Sequence, residues 1–428
     1  MHIPTALLLL FSTAYAAIAG GKSEGDRTVS PALFAELEEA ARLADIAYCV
    51  GISGIWKPFG CLSRCADFPD FELVETWNTG PLRSDSCGYI ALDHAKKRVV
   101  VAFRGTYSLA SVLADLATTP QVYVPYPEPA PPPPSRSKPR GWLGWIPWLG
   151  RGTKQDIILP TAVGDGDGDT KPVCTNCTVH AGFLKSWTHT RPFLLPHLTR
   201  LAGVVPEYET HLIGHSLGGA LAALAGLEMR AQGVEVVVTT FGEPRIGNVG
   251  LVGYLDSVFE LGTGRDGGEG EAARKGEDRR DGERGEGGRF RRVTHRGDPV
   301  PLLPLTEWGY AMHGGEIYIS SPGLPVGMGD VEMCVGDEDV RCIAGADEGG
   351  VLDAEAADET IVDGKGWGIP ARFRVGQILF AHRDYFWRVG LCVPGGDPAG
   401  WGGRGWYGGE GEGGQGGSGK AGGGGDEL

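Results

Sequence analysis

The period of apolar and polar positions changes several times along this 428-residue chain, and each change marks an element. Over residues 30–50, "SPALFAELEEAARLADIAYCV", apolar side chains recur at helical spacing behind a Ser-Pro start, which predicts a helix. Residues 87–106, "CGYIALDHAKKRVVVAFRGT", predict two strands joined over Asp93–Lys97, the second a dense valine run. Beyond them the pattern predicts a helix over 182–202, a strand over 208–214, a helix over 219–232 and a strand over 234–241. Further strands are expected at 289–294 and 315–320. Strands alternating with helices at such intervals predict an α/β fold with a central, mostly parallel sheet flanked by helices.

Composition changes this picture at the edges. The chain holds 71 Gly and 29 Pro, and they cluster. A Pro-rich insert at 126–171 contains Trp142, Trp145 and Trp148 alternating with Leu143, Ile146 and Leu149. A tract of Gly, Arg, Asp and Glu fills 262–289, and a Gly-rich tail runs over 394–428. Such segments bury little apolar surface, so the inserts and tail are expected to stay solvated and disordered. The folded body is then one domain over 25–393. At the N-terminus a short apolar run ends in Ala-Tyr-Ala and Ala-Ile-Ala, which predicts a secretory signal peptide over 1–19. No later segment has the roughly 20 apolar residues that a membrane helix needs. The C-terminal Gly-Asp-Glu-Leu resembles an ER-retrieval signal, with Gly where Lys or His is usual. Secretion is the main expectation and the ER lumen the alternative. A formal charge of −15 argues against nucleic-acid binding.

Nine cysteines fit an oxidising compartment. Cys61 and Cys65, Cys174 and Cys177, and Cys334 and Cys342 are close in sequence, and no histidines lie at finger spacing to make them zinc ligands. Local disulfides are the better reading, with Cys49 and Cys392 at opposite ends of the body and Cys87 left over. Asn176-Cys177-Thr178 is an N-glycosylation acceptor. "GDGDGDTKPVCTN" (164–176) looks like a calcium loop but has Thr170 where glycine is needed and Asn176 where a bidentate Glu belongs. No metal and no cofactor are expected.

The stretch "HLIGHSLGGALAALAGL" (211–227) places Ser216 between Gly214 and Gly218 at a strand-to-helix turn. Small flanking residues relieve crowding there and leave a serine exposed above the sheet edge, so Ser216 is a candidate nucleophile. A serine hydroxyl needs a histidine to accept its proton and an acid to orient that histidine. In sheets with such an elbow the acid and then the histidine follow the serine. His295, His313 and His382 lie downstream, and only His382 leaves ample room for an acid before it. Asp298, at a Gly-Asp-Pro turn after a strand, is the framed acid. Asp330, Asp337 and Asp339 are its rivals, and a plain surface role for His382 stays open.

The motifs "VVVAFRGT", "GHSLGGALA", "FGEPRIGN", "VTHRGDPVPLLP", "GYAMHGGEIYI" and "AHRDYFW" occur in that order. In this the chain resembles the fungal class 3 lipases, a family that includes some feruloyl esterases. The resemblance covers the folded body and misses the inserts and tail. It implies the α/β-hydrolase fold, a Ser216–Asp298–His382 triad, and an oxyanion hole at Thr106 and Leu217. It also implies a Cys49–Cys392 bridge and the Cys61–Cys65 and Cys174–Cys177 pairs, whereas Cys334–Cys342 has no family match. Glu243 and Cys87 depart from the family, where a small residue and serine are usual. The family's lid falls on 107–116, where Leu109, Val112, Leu113 and Leu116 form an apolar stripe at helical spacing. An apolar lid favours a triacylglycerol lipase that cleaves acylglycerol esters at a lipid–water interface, acting as a monomer with peripheral lipid contact. A soluble or feruloyl ester is the alternative, and a non-catalytic lipid-binding member the third reading. The Trp cluster is expected either to supplement the lid as a lipid anchor or to pack on the body as a satellite core.

Overall fold

A computed structural model describes residues 27–80, 86–106, 120–125, 172–262, 287–347, 361–362, 368–369 and 381–393. The signal segment, the lid with Leu109, Val112, Leu113 and Leu116, the insert at 126–171, residues 263–286 and the tail lie outside the described residues.

Helix α1 (Pro31–Ala47) opens as its sequence predicts. The Ser30 hydroxyl accepts the Leu33 N–H at 3.1 Å, and proline occupies the first turn, where a missing N–H costs nothing. Strands β1 (Phe71–Asn78), β2 (Cys87–Asp93) and β3 (Arg98–Phe103) form an antiparallel meander. A short ribbon pairs β4 (Pro120–Val122) with β5 (Thr178–His180). Then follow α2 (Ala181–Val204), β6 (Glu209–His215), α3 (Leu217–Ala231), β7 (Val236–Phe241), α4 (Val249–Phe259), β8 (Phe290–His295), β9 (Glu316–Ile319) and β10 (Val331–Met333). The main sheet has eight strands in the order β1-β2-β3-β6-β7-β8-β9-β10, with β3, β6, β7, β8 and β9 mutually parallel. Every strand and helix expected from the pattern is present within a few residues. Strands β1, β4, β5 and β10 and helix α4 were not anticipated.

The valine run of β3 shows why the sheet is central. Val99, Val101 and Phe103 join one apolar cluster with α2 and α3, while Val100 and Ala102 join another with α1. A strand covered on both faces reads as continuous apolar sequence rather than as alternation. Leu33, Leu37, Ala41, Ala44 and Ile46 of α1 supply the second cluster, which also holds Tyr385, Val389 and Cys392.

The C-terminal segment 381–393 is tied back to α1. Buried Asp45 accepts the Gly390 N–H at 2.8 Å and the Leu391 N–H at 3.3 Å, and Trp387 donates to Glu38. Cys49 and Cys392 are bridged beside these contacts, and Cys61–Cys65, Cys174–Cys177 and Cys334–Cys342 are bridged as well. Cys87 is buried and takes part in no disulfide. Among the described residues no helix is long and apolar enough to cross a membrane.

Candidate active site

Ser216 caps α3 at the end of β6 with φ +58° and ψ −129°, a conformation rarely adopted outside glycine. Holding it costs on the order of 1–3 kcal/mol, which the packed surroundings must supply. The flanking glycines show how tight the turn is. A Cβ on Gly214 would lie 2.1 Å from the Gly218 carbonyl oxygen, and one on Gly218 would lie 2.3 Å from that of Phe103. The elbow is therefore closed to any larger residue at either position. The Ser216 hydroxyl is buried, with no hydrogen-bond partner among the described residues.

Asp298 and His382, 84 residues apart, meet at the carboxyl end of the parallel strands. His382 Nδ1 lies 3.0 Å and 2.9 Å from the two Asp298 carboxylate oxygens. Asp298 also accepts the Val300 N–H at 2.9 Å and the Tyr385 hydroxyl. Burial alone would raise this carboxyl, but the adjoining His382 and these donors hold it below the usual carboxylate range. An ionised Asp298 accepts the Nδ1 hydrogen, which leaves Nε2 as the ring nitrogen placed to take up a proton. That Nε2 is buried and has no hydrogen-bond partner among the described residues. Gly242, at φ +57°, lets the pair approach the end of β7: a Cβ there would lie 2.8 Å from His382 Cε1 and 2.9 Å from Asp298 Oδ2.

The elbow connects to this pair through His215, whose ring lies 4.6 Å from that of His382. Its Nε2 is 2.7 Å from the His382 carbonyl oxygen, and its Nδ1 is 2.6 Å from the Tyr48 hydroxyl. Burial first, then the neighbouring His382, pushes the His215 imidazole down to about 3. Thr106 follows the end of β3, and its hydroxyl is buried without a hydrogen-bond partner among the described residues. Leu217 is the first residue of α3, where backbone N–H groups have no partner inside the helix. Arg104 braces the stretch leading into Thr106 by donating to the Val50 and Gly105 carbonyls, both at 3.1 Å.

The rival residues are engaged elsewhere. Asp339 pairs with Arg27 at 2.6 Å, and Asp330 accepts the Gly327 N–H at 2.7 Å. Asp337 is buried and is not among the partners of His382. His313 hydrogen-bonds the Gly314 carbonyl at 2.8 Å and lies 3.2 Å from Glu243, so the unusual glutamate has a buried histidine partner. His295 ends β8 with its ring 5.8 Å from that of Tyr385. Three contributors were not anticipated: Tyr48, Tyr385 and the ring of His215. Tyr385 lies one turn beyond His382, and its aromatic setting was the available signal.

A strained serine and a histidine held by a buried carboxylate are the residue types that acyl transfer to serine uses. Comparisons with known proteins point the same way. The family model described as lipase (class 3) matches residues 100–308. A protein of Gibberella zeae named secreted mono- and diacylglycerol lipase 2 is 46% identical over 403 residues, which span 89% of this chain and 86% of that one. The chain belongs to the fungal class 3 lipases. Lipase A of Sodiomyces alcalophilus is 44% identical over 440 residues, with 93% of each chain covered. Among solved structures, the Lip2 lipase of Yarrowia lipolytica superposes with a TM-score of 0.62 at 26% identity, covering 86% of this chain and 97% of that one. This class 3 lipase is thus an ester hydrolase on the α/β-hydrolase fold.

Proposed function

We propose that the protein is a secreted acylglycerol lipase that works through an acyl-enzyme on Ser216. The observation that carries the assignment of residues is the Asp298–His382 pair, whose unoccupied Nε2 shares the elbow's end of the sheet with an unoccupied serine hydroxyl. In this reading His382 Nε2 takes the Ser216 proton as Oγ attacks the ester carbonyl. The oxyanion is met by the Thr106 hydroxyl and the backbone N–H groups of Thr106 and Leu217, and loss of one such donor costs about 10²–10³ in rate. His382 then returns the proton to the departing alcohol, and water, activated by the same nitrogen, releases the acid. Asp298 stays ionised throughout and stabilises the imidazolium. The two curated relatives are named as lipases, one as secreted and acting on mono- and diacylglycerols, which favours acylglycerols over soluble aryl esters. Contact with a lipid surface and action as a monomer belong to the same proposal.

The test compares hydrolysis of mono-, di- and triacylglycerol emulsions, a soluble short-chain ester and a feruloyl ester. Ser216→Ala and His382→Ala should abolish all activity in folded protein. Asp298→Asn should lower kcat by about 10⁴ through loss of ring orientation. An active Ser216→Ala enzyme would end the reading, and preference for the feruloyl ester would end its substrate half.

A further inference from the structure

His215 adjoins the nucleophile yet takes no proton in the scheme above, and it is among the most buried polar residues near the site. A carbonyl oxygen only accepts, so the 2.7 Å contact with the His382 oxygen requires hydrogen on His215 Nε2. A neutral ring then presents Nδ1 as an acceptor, and the Tyr48 hydroxyl donates to it at 2.6 Å. The Tyr48 oxygen in turn receives a hydrogen bond from the Gly105 backbone. These contacts make a continuous line from Gly105, next to Thr106, through Tyr48 and His215 to the backbone of His382. The line is closely packed: a Cβ on Gly105 would lie 2.3 Å from the Tyr48 hydroxyl and 2.8 Å from Ser216 Cβ.

We propose that His215 and Tyr48 are positioning residues that fix the distance between the oxyanion segment and the main chain of His382. The inference rests on the reading of His382 as the base. Segment 381–393 is also held by the side chains of His382 and Tyr385 on Asp298, by Trp387 on Glu38, and at its far end by Asp45 and the Cys49–Cys392 bridge. At His382 itself His215 holds the backbone carbonyl. Tyr48 closes the line from the last turn of α1, and its neighbour Cys49 anchors the other end of the same segment.

The ring's two nitrogens can be separated by substitution. In His215→Gln the amide nitrogen reaches about as far as Nε2 and keeps the donor to the His382 carbonyl. In His215→Asn the amide oxygen takes the place of Nδ1 and the donor to that carbonyl is lost. Each variant, and Tyr48→Phe, is assayed on a soluble short-chain ester, with active serines counted by a phosphonate titrant and folding followed by thermal midpoint. His215→Asn should lower kcat per titrated serine by about 10- to 100-fold with KM unchanged, the scale expected from ångström-level misplacement of a base. His215→Gln keeps the donor to the His382 carbonyl but loses the Nδ1 acceptor of Tyr48, so it should lower kcat less than His215→Asn and about as much as Tyr48→Phe, neither moving KM. Equal kcat per titrated serine in the Asn and Gln variants overturns the proposal. Should His215→Asn fail to fold, Tyr48→Phe decides, and wild-type kcat in that variant overturns it. Activity in His382→Ala would instead remove the reading of the base, so the two failures are distinct.

Discussion

Burying His215 as a neutral ring has a cost that depends on pH, and the cost can be measured. In the unfolded chain this imidazole titrates near its ordinary value of 6.5, whereas in the fold burial takes it down to about 3. The residue faces His382, Asp298 and Arg383: the His382 carbonyl and Asp298 favour its charged form, while the His382 ring and Arg383 oppose it. Between those two pH values the unfolded state binds a proton that the folded state refuses. Stability is therefore complete above pH 6.5 and declines as pH falls toward 3. The slope for one proton is about 1.4 kcal/mol per pH unit, so His215 alone removes about 2 kcal/mol at pH 5 and about 3 kcal/mol at pH 4. Such losses are a large part of the 5–15 kcal/mol typical of a folded protein.

Buried His295 and the more accessible His211 are also pushed down by desolvation and add slopes of the same sign, so wild type alone does not isolate His215. His215→Gln removes one titrating group and leaves the other two. Urea unfolding of both proteins with disulfides oxidised, at pH 7, 6, 5 and 4, gives the difference directly. Any constant offset from the substitution cancels when the curves are compared across pH. The Gln variant should lose stability less steeply, by about 1.4 kcal/mol per unit below pH 6.5. Asp298 does not interfere, because its lowered carboxyl loses its contribution only as pH falls below the ordinary carboxylate range. Parallel curves for the two proteins would refute the reasoning, since they would mean that His215 binds its proton equally in both states.

Two other perturbations follow from the geometry. Gly242→Ala places a methyl group less than 3 Å from His382 and Asp298 at positive φ, so it should cost about 1 kcal/mol or more of stability and lower kcat at least tenfold, measured by urea unfolding and ester hydrolysis. Cys49→Ser with Cys392→Ser opens a bridge of sequence separation 343 and should cost up to about 5 kcal/mol on the chain-entropy account, read as a lower urea midpoint that Cys61→Ser with Cys65→Ser does not match.

What could be read from the sequence was what local spacing encodes. The valine run of β3 was legible because both faces are covered, and Ser216 because its bracketing glycines can be no larger. Chain order then pointed to His382 as the base, while Asp298, framed by its Gly-Asp-Pro turn, still had Asp330, Asp337 and Asp339 as rivals until the resemblance was used. Strand β1 escaped because a bulge between Leu73 and Glu75 breaks its alternation, so "FELVETWN" loses its period halfway. Helix α4 escaped because "VGLVGYLDSVF" carries two glycines, which argue against a helix when read alone. One of them is imposed from outside: a Cβ on Gly250 would lie 2.5 Å from the Thr175 carbonyl oxygen. The Tyr48–His215 contact joins residues 167 apart, at the end of α1 and the end of β6. Nothing near either residue records it, since a tyrosine at a helix end and a histidine beside a serine are each compatible with many partners. Chemistry with a fixed order along the chain leaves a local trace. The hydrogen bonds that hold that chemistry in place arise only once the sheet has brought distant segments together.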